Sequence, residues 1–201
     1  MKTTYFKLLI VLLLFINING YSQFKATMLF TANNQQREME IYSHEGNYRY
    51  EFNANGQDGI VISKQGSNQV FILMPQQKMA MKSPSGSEMA MNSDPLKSLE
   101  YYQKNGNLKE VGKETINGIK CVKSELWNKT GNEHGQVNQK VFTVWYSEKY
   151  QFPIKIINHI NGSEDSGMEL KDVEPWASDA SSFSIPSNYQ IMEMDGVMPK
   201  Y

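Results

Sequence analysis

A single cysteine, Cys121, in 201 residues rules out an internal disulfide. It sits in the strand-like run IKCVKSELW, where it reads as a small buried hydrophobe. Histidine is scarce too: His44 and His134 fall in turn sequences and His159 ends a strand. None belongs to an H-E-x-x-H zinc motif, and neither a G-x-S-x-G elbow, a G-x-G-x-x-G turn nor a P-loop occurs. The chain therefore reads as a non-enzyme without a cofactor. Basic charge is not in excess, with 20 Lys and Arg against 21 Asp and Glu. No clustered cations suit a phosphate backbone, so nucleic acid is excluded as a partner. No basic amphipathic helix offers itself to a membrane surface.

There is also no apolar run near the ~20 residues a membrane span requires. The longest, LLIVLLLFI (8–16), follows Lys2 and Lys7 and precedes the small residues Gly20 and Ser22. That pattern is a secretory signal peptide over residues 1–22, with cleavage before Gln23. Cleavage removes two lysines and no acid, moving the formal charge from −1 to −3. No cysteine lies at the cleavage site to carry a lipid. The expected product is a periplasmic or secreted protein, soluble and not lipid-anchored, and a monomer.

What the chain has in abundance is alternation with period two, the mark of half-buried strands. Phe24, Ala26, Met28 and Phe30 share one face of FKATMLFT; Met39 and Ile41 alternate with glutamates; Tyr48, Tyr50 and Phe52 share a face of NYRYEF. Further strands are read at 59–64, 69–74, 78–82, 108–116, 119–127, 140–147, 153–160, 167–174 and 189–194, with one helical turn within Ser181–Pro186. The oxygen-rich loops NANGQD and NGSED lack the spacing of a calcium loop and read as hairpin turns. One helix is expected from about Asp94 to Lys104. Ser93 or Asp94 caps it, Pro95 opens it, Leu96 and Leu99 form its apolar stripe, and Asn105-Gly106 ends it. Residues 23–194 form one mainly antiparallel β domain, followed by a tail at 195–201.

Two stretches ask for more than a minimal core. VFTVWYS is apolar on both faces, as in a central sandwich strand or a cavity wall. Val70–Met91 holds Met74, Met79, Met81, Met89 and Met91, soft side chains that suit an adaptable apolar surface. Thioethers also bind Cu(I), so Met79, Met81, Met89 and Met91 are a candidate copper cluster across the Ser83–Ser87 loop. A protein-interaction module with a filled core is the third reading.

Several segments then line up in order: GNYRYEF, VFILMPQQKMAM, ETINGIKC, VFTVWYSEKYQFPIKI, GMELKDVEP and SSFSIPSNYQIME. Their most specific pieces are Trp145 with Phe152-Pro153, and Phe183, Pro186 and Tyr189. This order resembles the LolA-like superfamily of periplasmic outer-membrane lipoprotein carriers and their secreted, uncharacterised relatives, over residues 24–194. The resemblance implies an unclosed antiparallel β-barrel with one short helix over an apolar cavity for a lipid or lipoprotein acyl chain, and an envelope protein as a possible partner. The lining expected is Phe71, Leu73, Met74, Met79, Met81, Met89, Met91, Leu96, Leu99, Phe142 and Trp145. The carriers hold their lid with a particular arginine; this chain has Arg37 and Arg49, and neither is assigned that role.

Overall fold

The computed structural model describes residues 23–32, 35–54, 56–87, 90, 94–104, 106–130, 137–160, 166–177 and 180–194. The expected signal segment 1–22, the tail 195–201, Ser93, His134, Met89 and Met91 lie outside the described residues. Within them the strands are β1 Phe24–Ala32, β2 Gln35–His44, β3 Asn47–Ala54, β4 Gln57–Ser63, β5 Gln69–Met74 and β6 Met79–Pro84. The helix α1, Pro95–Gln103, comes next. Then follow β7 Asn107–Ile116, β8 Ile119–Thr130, β9 Val137–Ser147, β10 Phe152–Asn158, β11 Ser166–Pro175 and β12 Gln190–Glu193. Pro75–Gln77 and Ala180–Phe183 are 3-10 turns.

All twelve strands belong to one sheet in the order β12-β6-β5-β4-β3-β2-β1-β11-β10-β9-β8-β7. The two outer strands do not pair with each other among the described residues, so the barrel is unclosed, as expected. Neighbours are antiparallel except β12, which runs parallel to β6.

Strand alternation and register turn the sequence pattern into rows. Ala26, Ile41, Tyr50, Val61, Ile72 and Met81 are successive partners from β1 to β6. Phe24, Ser43, Tyr48, Ser63, Val70 and Ser83 form the adjacent row. These rows build the face on which α1 lies, called the concave face below. Burying each Val, Ile, Leu or Phe there contributes about 1.5–3 kcal/mol. At the edge of this face the Phe52 ring lies over Gly59, where an added Cβ would come within 2.2 Å of Phe52 Cζ.

The opposite, convex face has its own small core. Ile62, Leu73, Ala80 and Phe183 cluster there with Ile60, Phe71, Trp176, Ile185 and Tyr189. The segment after β11 supplies much of this cover. Arg49 Nη1 fastens it by donating to Ser182 O at 2.9 Å, and the Trp176 ring packs at a tilt against Tyr42 with ring centroids 4.8 Å apart. Phe71 and Leu73, expected in the lining, therefore sit on the wrong face for it. Val70 and Ile72 take the concave side of β5, and alternation leaves Phe71 and Leu73 to the other.

α1 begins as its sequence predicts. Asp94 is its N-cap and Pro95 its first residue. Leu96 and Leu99 are buried, and the Tyr102 ring meets Phe142 at 5.7 Å. Beyond its end, Gly106 is tightly enclosed: an added Cβ would lie 2.7 Å from Leu126 Cδ1 and 2.8 Å from Tyr102 O. No helix among the described residues is long and apolar enough to cross a membrane.

Candidate functional site

α1 does not seal the concave face. Between it and β3, β8, β9 and β10 a pocket of 410 Å³ remains, within the ~300–1,000 Å³ typical of small-ligand sites. Its apolar walls include Tyr48, Leu96, Leu99, Val144, Phe152 and Pro153, with Leu108 of β7 at the side; Glu100, Gln103, Ser124, Tyr146 and Gln151 contribute polar atoms. Phe152 is held edge-on by Phe24 and Tyr48, with centroids at 5.3 and 5.9 Å.

The polar groups at the foot of α1 are engaged within the protein. The fully buried Asp94 carboxylate accepts Tyr48 Oη at 2.6 Å, Leu96 N at 2.9 Å and Lys97 N at 3.4 Å. Burial pushes its pKa up to about 6, against the pull of those hydrogen bonds and of Lys97. Burial, then the Asp94 charge, hold the Tyr48 phenol well above its ordinary value. Lys97 is buried as well; its Nζ donates to Glu100 Oε2 at 2.7 Å and stands 5.9 Å from the Tyr48 ring centroid. This network ties the helix to β3 and needs no ligand to satisfy it.

A second pocket, of 500 Å³, opens on the same face away from α1, among Phe30, Met39, Tyr50, Phe52, Val61 and Ile72, with Arg37, Glu38 and Asn53 beside them. Strand β3 serves both pockets, Tyr48 in one and Tyr50 in the other.

Of the residues expected in the lining, Leu96 and Leu99 are in the pocket beside α1. Phe142 is buried on the concave face under Tyr102. Trp145 points the other way. Its Nε1 donates to Glu114 Oε2 at 2.7 Å, and Lys123 and Lys155 Nζ lie 5.0 and 5.7 Å from its ring centroid. The doubly apolar β9 is thus explained by a lysine-covered tryptophan outside, where the alkyl stems shield the ring, and by core and pocket inside. Met81 packs against the concave core, and Met74 and Met79 are half-buried partners across β5 and β6. Since Met89 and Met91 lie outside the described residues, the described part of the candidate copper cluster is Met79 and Met81 alone. Met192, opposite Met81 on β12, joins this methionine group unannounced, because the sequence gives no sign of a parallel pairing. Lining residues outside the expected set include Leu108, Ser124, Val144, Phe152 and Pro153. Val144 was reachable, since it alternates with Phe142; Phe152-Pro153 stood out as a motif with no face assigned.

A family model described as "Domain of unknown function (DUF4412)" matches residues 25–148. No curated protein matches the sequence. Among solved structures, an uncharacterized conserved protein from Thermus thermophilus superposes with a TM-score of 0.52 at 10% identity, over 92% of this chain and 98% of that one. A LolA superfamily protein from Nitrosomonas europaea gives 0.41 at 10% identity, over 82% and 90%. LprF from Mycobacterium bovis gives 0.35 at 11%, over 85% and 91%. The Thermus thermophilus superposition shows a shared fold; at this identity the likeness concerns fold and not ligand.

Proposed function

We propose, for a chain that belongs to the DUF4412 family, that the pocket beside α1 shelters an apolar chain, such as the acyl chain of a lipid or lipoprotein, without transforming it. In this reading residues 1–22 direct export to the periplasm or beyond, residues 23–194 are the carrier domain, and residues 195–201 are a tail. The observation that carries the reading is a 410 Å³ pocket with walls of Tyr48, Leu96, Leu99, Val144, Phe152 and Pro153, under a helix whose buried polar groups are already satisfied. Its apolar walls offer a hydrocarbon a favourable transfer, about 0.8 kcal/mol for each CH₂ buried.

The test is a polarity-sensitive fluorescent fatty-acid probe, with native mass spectrometry of protein recovered from its own envelope. Wild type is expected to brighten the probe and to carry lipid. Ser124→Trp, which fills the pocket from its half-buried β8 wall, is expected to weaken probe binding about tenfold. A protein that leaves the probe unchanged and comes out of the envelope lipid-free sinks the reading.

A further inference from the structure

The pocket away from α1 carries a chemistry that the pocket beside α1 lacks. We infer that it is a separate site for a single hydrocarbon chain ending in an anion, with Arg37 as the residue that holds the charged end.

The walls come first. Phe30, Met39, Tyr50, Phe52, Val61 and Ile72 belong to five successive strands, β1 to β5, and enclose 500 Å³. They are aligned by register: Met39 is opposite Met28 and Tyr50 opposite Ile41, while Tyr50, Val61 and Ile72 are consecutive partners. Sheet rather than loop builds this pocket, so its shape is set by backbone pairing.

The charge comes second. The chain has two arginines, and the structure uses them differently. Arg49 is half-buried and committed: it pairs with Glu51, donates to Ser182 O and stands over the Tyr42 ring at 5.8 Å. Arg37 is exposed, lines the pocket, and forms no ion pair among the described residues. It is the register partner of Phe30 and shares the concave parity of Met39 and Ile41. Glu38 also reaches this rim, but it is one residue along β2 and so belongs to the opposite face, where it adjoins Glu40, Glu51 and Asp58. Of the two charged residues in the lining, Arg37 is the one whose strand parity matches the apolar walls. A guanidinium there meets a carboxylate or a phosphate with two parallel hydrogen bonds. The shared ligand chemistry is therefore an alkyl chain with an oxyanion head, whether fatty acid or lipid phosphate.

This site does not depend on the pocket beside α1, and isothermal titration at pH 8 separates the two. The probes are dodecanoate, dodecyl phosphate, dodecyl maltoside and dodecyltrimethylammonium. Wild type is expected to bind one or both anions about tenfold or more tighter than the neutral and cationic amphiphiles. Preference for dodecanoate over dodecyl phosphate marks a fatty-acid head, and the reverse marks a lipid phosphate. Arg37→Gln is expected to erase the preference while leaving dodecyl maltoside within about twofold, and Arg37→Lys to keep part of it. Lys109→Gln removes an exposed cation on β7 and should change nothing. Equal binding of anions by wild type and Arg37→Gln overturns the inference, as does tighter binding of the ammonium. Dodecyl maltoside binding that Ser124→Trp abolishes, with no anion preference in wild type, overturns this site and leaves the one beside α1 standing.

Discussion

The two ends of the concave face are built from the same rows of strands and differ in where their polar groups are spent. Beside α1, Asp94, Tyr48, Lys97 and Glu100 satisfy one another, and aromatic rings are locked edge to face. At the other end Phe52 is half-buried over a glycine and Arg37 faces solvent. The first end is organised for stability and the second for accessibility. A pocket can thus be formed either by internally satisfied side chains or by leaving part of a β-sheet uncovered.

The comparison is broken most strongly by aromatic truncation. Phe152→Ala, at the locked end, is expected to cost about 3–5 kcal/mol, and Phe52→Ala, at the open end, about 1–2 kcal/mol. Urea denaturation midpoints give both values, and equal losses would dissolve the distinction.

Asp94 gives the next effect, with a definite sign. Its folded pKa of about 6 exceeds the reference 3.8, so folding favours the protonated form. The stability this group contributes is complete below about pH 3.8 and is lost as pH rises through 6. The difference of about two units makes the loss about 3 kcal/mol. Asp94→Asn keeps an acceptor for the cap without the charge. It should remove this component of the stability–pH curve between about pH 4 and 7. A variant curve parallel to wild type across that window would show that the carboxyl titrates elsewhere.

The smallest effect sharpens the contrast from the open side. Arg37→Gln should alter unfolding free energy by no more than about 0.5 kcal/mol, as for an exposed group that forms no ion pair among the described residues. A larger loss, read from thermal melts without ligand, would mean that Arg37 supports the fold rather than faces a site.

Much of this architecture was legible as alternation. QVFILM ends where β5 ends, and Tyr48, Tyr50 and Phe52 line up on β3 as read. Asp94-Pro95 announced the helix because cap chemistry is local. What alternation cannot tell is which face an all-apolar strand turns inward. Phe71, Leu73 and Trp145 were misplaced for that reason: what covers the convex face comes from distant residues, Phe183 and Tyr189 for the first two and Lys155 for the last. Arg37 looked like one more charge on an alternating strand. Only the register with Phe30 and the neighbouring rows made it the edge of a pocket.

The strand order also sets a sequence of assembly. From β1 to β6 each strand pairs with the next in the chain, and from β7 to β11 the same holds. Both meanders can therefore zip up through short loop closures, which are fast. The seam between them is β1 with β11, where Phe24 meets Pro175. The first strand of the folded domain must keep one edge unsatisfied until almost the whole chain has arrived. In a chain that emerges from its N-terminus, an edge left unpaired that long is the kind of exposed strand edge that invites pairing with another chain, and β12 can settle on β6 only from the last stretch of the described chain.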